Sequence, residues 1–484
     1  MKVKKWLSII LAFSVCAAFY GCKPKDPDTS ESSETKKTKA TQTSESATES
    51  TSETDETTPS SEPSSVATVK DEGDGPLLIY GYDKSFSSVL GEYITDIEYE
   101  YVYIEPSNYY SKLEAAFADE DRQPDLFMVD ADHLQEYSYS DQTLPIGELG
   151  LSSSELKDQF EYTYQLTRDA DNNIKGLSYE LSPSAIIYNR ALAQEYFGCN
   201  EPADVALYLN NWDSIIESAR LVNINSEGTV KLFSALREIS PVFWMGHDGN
   251  WIVDDQVQIS GEFDQYFMLE EILYSETLTM DLTLHSPQWK SCLNEGNALM
   301  FFGSLRTAAE AIGFVPGHDE TIETLDPDPS DPTDPTDPAE PLEVTGWGIL
   351  PAPEATYDGG TWLMAASTCD MKASSAEVLR ALTMNTENMQ QMALEGIFVN
   401  SRTVMKDCAS DSYFACDFFG GQNPYAILVT EAESIKIVPD TEVTKYARTE
   451  IENLLSSYLA GDIETMDEVR QQFVIGMQEL FGLV

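Results

Sequence analysis

The chain has 484 residues, 83 of them Asp or Glu against 29 Lys or Arg, for a formal net charge of −54 at pH 7. That length exceeds what one ordinary core holds, so two or more lobes are expected. A composition of 42% hydrophobic and 11% aromatic residues is that of a globular protein. The charge excludes nucleic acid as a partner, because phosphates are repelled, and most of the carboxylates read as solvated surface.

Residues 1–22 have the form of a targeting segment: Lys2, Lys4 and Lys5, then an apolar stretch over 6–19, then Gly21-Cys22. The apolar stretch is too short for a comfortable membrane-spanning helix. Gly21-Cys22 followed at once by polar residues resembles a bacterial lipobox, which implies lipidation at Cys22. Phe19 and Tyr20 depart from the Leu and small residue usual there, and the alternative is secretion with cleavage near Ala17-Ala18. Residues 23–75 are dominated by Ser, Thr, Glu, Lys and Pro without one aromatic. Such a segment cannot bury enough apolar surface to offset its chain entropy, so a disordered tether is expected.

The globular part begins at Pro76. Leu77-Leu78-Ile79-Tyr80 has the composition of a strand ending in Gly81-Tyr82-Asp83-Lys84. Side chains there would stand at the carboxyl end of a sheet, where open α/β sheets bind ligands. Asp83 and Lys84 equally fit a surface ion pair or a helix N-cap. A second strand is expected over 97–104 and a helix over 109–117. Pro124-Asp125 then opens a strand that ends at Asp130, with Asp132 just past it. The cluster Asp169, Asp171, Asn173 and Glu180 puts carboxylates at positions 1, 3 and 12 of a calcium loop, but Ile174 stands where the sharp turn requires Gly. A β-turn explains the cluster without metal.

Residues 179–198, YELSPSAIIYNRALAQEYFG, place an apolar run (Ala185-Ile186-Ile187-Tyr188) directly before a helix. A helix starts at Trp212. Phe243-Trp244-Met245 and Trp251 form an aromatic cluster, fit either for stacking on sugar rings or for core. The segment 294–303 leads through Met300 into Leu305-Arg306. In 326–341, DPDPSDPTDPTDPAEP, the Pro spacing forbids helix and sheet, so an exposed polyproline-like loop is expected. A strand at 346–350, Gly359-Gly360-Thr361-Trp362, helices over 373–384 and 387–394, and closing helices over 446–459 and 467–480 complete the chain.

Tyr188-Asn189-Arg190 with Leu192 and Gly198, the PDLFMVD strand, the segment 294–303 and Trp347-Gly348-Ile349-Leu350-Pro351 together resemble the extracellular solute-binding proteins of bacterial ABC importers (family 1, maltose or sugar-binding type) over about 76–484. The resemblance implies an α/β, two-lobed, periplasmic-binding-protein-like fold of type II with a multi-crossing hinge. Its lobes would be 76–182 with 360–404, and 183–359 with 405–484, the second carrying the 326–341 insert. It implies a ligand cleft lined by Tyr82, Asp83, Asp132, Glu180, Trp244, Arg306 and Trp362. Asp132 would bind sugar hydroxyls. Arg306 stands where sugar binders often carry Trp, a departure from a maltose-like ligand. The implied function is capture of a carbohydrate by hinge closure and delivery to permease transmembrane subunits. The protein would be a monomer, lipid-anchored at the extracytoplasmic face, without enzymatic activity, cofactor, metal or nucleic acid. Two rivals remain: the same fold binding a polyamine or other cation, and a surface carbohydrate-binding protein without transport.

Catalytic patterns are missing from the sequence: no HExxH, GxSxG, Gly-rich phosphate loop or CxxC. His133, His247, His285 and His318 are scattered without metal-ligand spacing. Beyond the leader, Cys199, Cys292, Cys369, Cys408 and Cys416 are odd in number. Cys408 and Cys416 are close enough to pair, and buried thiols are the alternative. No carboxylate pair stands out as a glycosidase acid and base.

Overall fold

The computed structural model describes residues 69–246, 249–280, 282–315, 346–437 and 441–483. The leader with Cys22, the tether as far as residue 68, His247, His318 and the 326–341 insert lie outside the described residues. In chain order the strands are β1 (Leu77–Gly81), β2 (Tyr99–Tyr103), β3 (Leu126–Asp130), β4 (Gly176–Pro183), β5 (Ala185–Asn189), β6 (Ile252–Val253), β7 (Gln256–Val257), β8 (Met300–Gly303), β9 (Trp347–Leu350) and β10 (Tyr357–Ala365).

Five strands form one sheet in the order β2-β1-β3-β10-β4. β1 pairs in parallel with β2 and β3, while β10 runs antiparallel to β3 and β4. Parallel strands need helical crossovers, and the helices Phe86–Tyr93 and Tyr109–Phe117 supply them. The arrangement brings Tyr82, Asp130, Thr361 and Glu180 to one end of the sheet, since Thr361 pairs with Asp130 on one side and Glu180 on the other.

Three strands form a second sheet, β8-β5-β9, antiparallel throughout. Its two faces account for the continuous apolar run Ala-Ile-Ile-Tyr. Ala185 and Ile187 enter one core with Phe301 and Ile349, and Ile186 and Tyr188 enter the other with Met300 and Leu350. A strand covered on both faces carries apolar side chains at every position instead of alternate ones. The helices Trp212–Asn225, Gly261–Ser275, Glu442–Ala460 and Met466–Phe481 cover the second face.

The Tyr-Asn-Arg motif proves to be local architecture. The Asn189 side chain accepts from the N–H groups of Ala191 and Leu192, capping the helix Arg190–Phe197, which Gly198 ends at φ 76°. Arg190 lies buried and bonds Glu201 at 2.7 Å. Close packing explains Gly348 as well, since any side chain there would run into the Tyr188 ring.

Three chain passages lie side by side between the sheets. Only Ser184 separates β4 from β5, and its N–H donates to the Thr356 carbonyl at 2.8 Å. The Leu181 N–H donates to the Phe398 carbonyl at 2.8 Å. Asn400, fully buried, donates to the Thr163 hydroxyl and the Ser178 carbonyl at 3.0 Å each and accepts from the Phe160 N–H at 3.0 Å. A buried amide so fully bonded fixes the passage it sits on.

Residues 71–73, within the stretch expected to be tether, are bonded to the fold. Asp71 accepts from the N–H groups of Ala373 (2.8 Å) and Ser374 (3.1 Å), and Glu72 N–H donates to the Asp370 carbonyl at 2.7 Å. Asp71 thus caps the helix Lys372–Thr383, whose own preceding residue provides no side-chain cap. Among the described residues no helix is long and apolar enough to cross a membrane.

Candidate functional site

The end of the five-stranded sheet gathers three of the expected residues, Tyr82, Glu180 and Arg306. Tyr82 follows β1, packs edge-on against Tyr109 at 5.0 Å and stands beside the Thr361 side chain. Burial, with Asp130 and Glu180 nearby, pushes its hydroxyl well above the usual phenol range. Glu180, on β4, receives a forked bond from Arg306: Nη2 lies 2.7 Å from Oε1 and 2.9 Å from Oε2, and Nε lies 3.2 Å from Oε1. The carboxylate in turn raises the guanidinium further above its ordinary value, against the opposing effect of burial. Arg306 opens the helix Leu305–Ile312 behind β8, so this pair ties the five-stranded sheet to an element leaving the other.

Asp83 stands beside this group but is used locally. Its Oδ1 accepts from the Ser85 N–H (2.8 Å) and hydroxyl (2.7 Å), stabilising the turn into the helix Phe86–Tyr93. Lys84 lies 4.9 Å over the Tyr103 ring instead of pairing with Asp83. Asp132 is exposed on the turn after β3. The carboxylate held in place there is Asp130, which accepts from the His133 backbone at 3.1 Å and bonds its Nδ1 at 2.8 Å. The His133 ring stacks on Tyr110 at 3.6 Å, and Tyr110 accepts from the Asp130 N–H.

Two aromatic expectations need correction. Trp362 is only 1% exposed, and its Nε1 donates to the Thr163 carbonyl at 2.9 Å. The pleat of β10 turns it into the core, on the face opposite Thr361, so it offers no ring to a ligand. Tyr179, next to Glu180, is likewise buried against Phe86. Trp244 is mostly core, packed on Trp251 and Phe263, yet its remaining edge lines a cavity. Cys408 is buried and not joined to Cys416 by a disulfide. The turn at Asp169 forms as expected, with Asn172 at φ 66° and Glu180 paired to Arg306.

That cavity, of about 450 Å³, lies between the turn after β3, the segment 165–169, Tyr357 on β10, Trp244-Met245, and Lys436 and Arg448. The sequence reading missed Tyr357, Lys436 and Arg448. They come from three distant segments without a shared motif, and only the fold assembles them. A smaller cavity of about 210 Å³ is bounded by Glu180, Arg306, Phe398 and Leu428.

The family model described as bacterial extracellular solute-binding protein matches residues 82–300. Among solved structures, the sugar-binding protein MalE from Xanthomonas citri is 14% identical with a TM-score of 0.62, covering 84% of this chain and 98% of its own. The galacto-N-biose/lacto-N-biose I-binding protein of the ABC transporter from Bifidobacterium longum, in complex with lacto-N-biose, is 14% identical with a TM-score of 0.60, covering 86% and 99%. The ABC transporter associated binding protein from B. animalis subsp. lactis, in complex with beta-1,6-galactobiose, is 15% identical with a TM-score of 0.57, covering 84% and 96%. At such identities these likenesses establish fold. No curated protein sequence matches significantly. Residues 82–300 thus match the model of the bacterial extracellular solute-binding family, and the chain has the two-lobed fold of these neighbours.

Proposed function

We propose that this protein captures a carbohydrate between its lobes by hinge closure and delivers it to the permease of an ABC importer. The observation that carries the reading is the gathering of Tyr82, Asp130, Glu180 and Arg306 at the end of one sheet, beside the passages to the other. Hydroxyls, carboxylates and a guanidinium around an aromatic-edged cleft are the groups that bind sugar hydroxyls. The sugar complexes among its structural neighbours support the same class. The lobes are taken as 76–182 with 360–404 and 183–359 with 405–484. A ligand touching both favours the closed form by the contacts available only there. The protein is placed at the extracytoplasmic face as a monomer, anchored through lipid on Cys22.

Thermal unfolding with a panel of mono- and oligosaccharides tests the reading. A ligand at a hundred times its Kd stabilises the folded state by about 2.7 kcal/mol, and one sugar class should raise the Tm by several degrees. If no saccharide shifts Tm while polyamines or amino acids do, the carbohydrate reading fails. Replacing Cys22 with Ala should release the protein from membranes, and retention would sink the anchor.

A further inference from the structure

We propose that the cavity beside Trp244 selects saccharides bearing an anionic group: a carboxylate, sulfate or phosphate on the sugar. This rests on the carbohydrate reading and narrows it. In a chain with 83 Asp and Glu against 29 Lys and Arg, an average wall would be acidic. This wall is basic. Arg168, Lys436 and Arg448 line it together with one carboxylate, Asp169, among the described residues.

Asp169 is already engaged. It accepts from the N–H groups of Asp171 (3.0 Å) and Asn173 (2.8 Å) and from the Asn173 amide (3.1 Å), and lies 3.9 Å from Lys175 Nζ. Partial burial alone would raise its pKa. The Asn173 bonds and Lys175 outweigh that and hold the carboxyl below its usual range. Its charge is therefore answered by Lys175, outside the cavity wall.

The three cations have no such answer. Arg168 donates to the Gln165 side chain and the Asn172 carbonyl, both at 2.6 Å and both neutral. Lys436 and Arg448 are exposed and form no ion pair with any described residue; Glu354 acts on Lys436 only from beyond ion-pair distance. Arg448 is nevertheless positioned, since its guanidinium lies over the Trp244 ring at 5.4 Å. A guanidinium so placed offers a planar fork that matches a carboxylate or sulfate. Cations of one sign along a partly apolar concave wall focus their field on what enters. A polyamine would meet three like charges there. The rings of Tyr139, Tyr357 and Trp244 and the amides of Gln135 and Gln165 supply what the neutral part of a sugar needs. A cavity of about 450 Å³ also falls within the ordinary size of ligand sites.

The test is calorimetric titration of the whole protein with matched pairs: digalacturonic acid against galactobiose, sialyllactose against lactose, and a sulfated chondroitin disaccharide against its unsulfated form. One anionic member should bind about tenfold or more tighter than its neutral partner, losing that margin in 1 M NaCl. Arg448→Met and Lys436→Met should each remove most of the margin, while Arg448→Lys should keep part of it. The pair that responds separates carboxylate from sulfate. Equal or tighter binding of the neutral member, or a margin untouched by Arg448→Met, overturns the proposal and leaves the carbohydrate reading standing. Binding of citrate or inorganic phosphate that depends on Arg448, with no saccharide bound, keeps the basic site and overturns its sugar specificity together with the carbohydrate reading. Binding of none of these probes overturns both.

Discussion

Thr361 and Tyr357 are four residues apart on β10, at most about 14 Å, and they belong to regions that treat charge differently. Around Thr361 the polar groups find partners within the chain: Glu180 has Arg306 and Asp130 has His133. Around Tyr357 the cations Lys436 and Arg448 have no counter-ion among the described residues. An ion pair completed inside the protein contributes to shape and to the relation between elements. A charge left open on a concave wall contributes to whatever enters. The two regions together suggest a cleft with one end whose polar groups are already held in place for neutral hydroxyls and another whose open cations await a charge.

The largest expected effect tests which side of β10 belongs to the cleft. Trp362 is buried and bonded to the Thr163 carbonyl, so Trp362→Ala should cost about 3–5 kcal/mol in urea unfolding. Ligand affinity of the fraction still folded should stay close to that of the parent protein. Loss of affinity with stability intact would place Trp362 on the cleft wall and undo the comparison.

Glu238 sharpens the comparison from the carboxylate side. Where Glu180 has a guanidinium, Glu238 is buried among neutral donors: Oε1 accepts from Trp289 Nε1 (3.2 Å) and the Ala235 N–H (3.1 Å), and Oε2 has no partner among the described residues. Burial outweighs those bonds and pushes its pKa up to about 7. An unfolded Glu titrates near about 4.3, so between these values the folded state holds the extra proton. The resulting stability is complete below about pH 4 and is lost as pH rises to about 7, a change on the order of 3 kcal/mol. Glu238→Gln should therefore be more stable than the parent at pH 8, with the advantage shrinking at pH 5. A constant difference across that range would mean that Glu238 is not protonated in the folded protein.

How much of this was legible in the sequence depends on how local each cause is. The apolar run 185–188, the Asn189 cap and the Gly198 stop are neighbours along the chain, and the sequence shows them as directly as the structure does. The strand ends carrying Tyr82 and Asp130 were legible too, because a strand that stops in polar residues shows where its sheet ends. Asp130 and Asp132 stand two residues apart at the end of one strand, and only the pairing of Thr361 with Asp130 puts the latter at the site. Trp362 was misplaced because its sequence neighbours suggest an open crossing, whereas the pleat turns it inward. Arg448 and Lys436 carried no signal. They lie far along the chain from Trp244 and Asp169, and a solvated helix face gives the same pattern. Asp71 was hidden for the opposite reason: its tether-like surroundings conceal a cap for a helix that starts three hundred residues later.

The smallest effect discriminates most finely between the two regions. The Glu180 and Arg306 side chains are 16% and 45% exposed, so water screens their attraction and Arg306→Met should cost only about 1 kcal/mol. Arg448→Met should cost about 0.5 kcal/mol, the scale of an exposed cation–π contact. The magnitudes are close, but their salt dependence is not. The Arg306 difference should shrink between 0.05 and about 1 M NaCl, because screening weakens the pair in the parent protein. The Arg448 difference should not shrink, because that residue has no ion pair to lose. Because the Glu180–Arg306 pair also ties β4 to the helix behind β8, Arg306→Met should widen the ligand-free protein in small-angle scattering, and Arg448→Met should leave it unchanged. The reverse pattern in either measurement would mean that the open charges, not the paired ones, hold the two sheets in their relation.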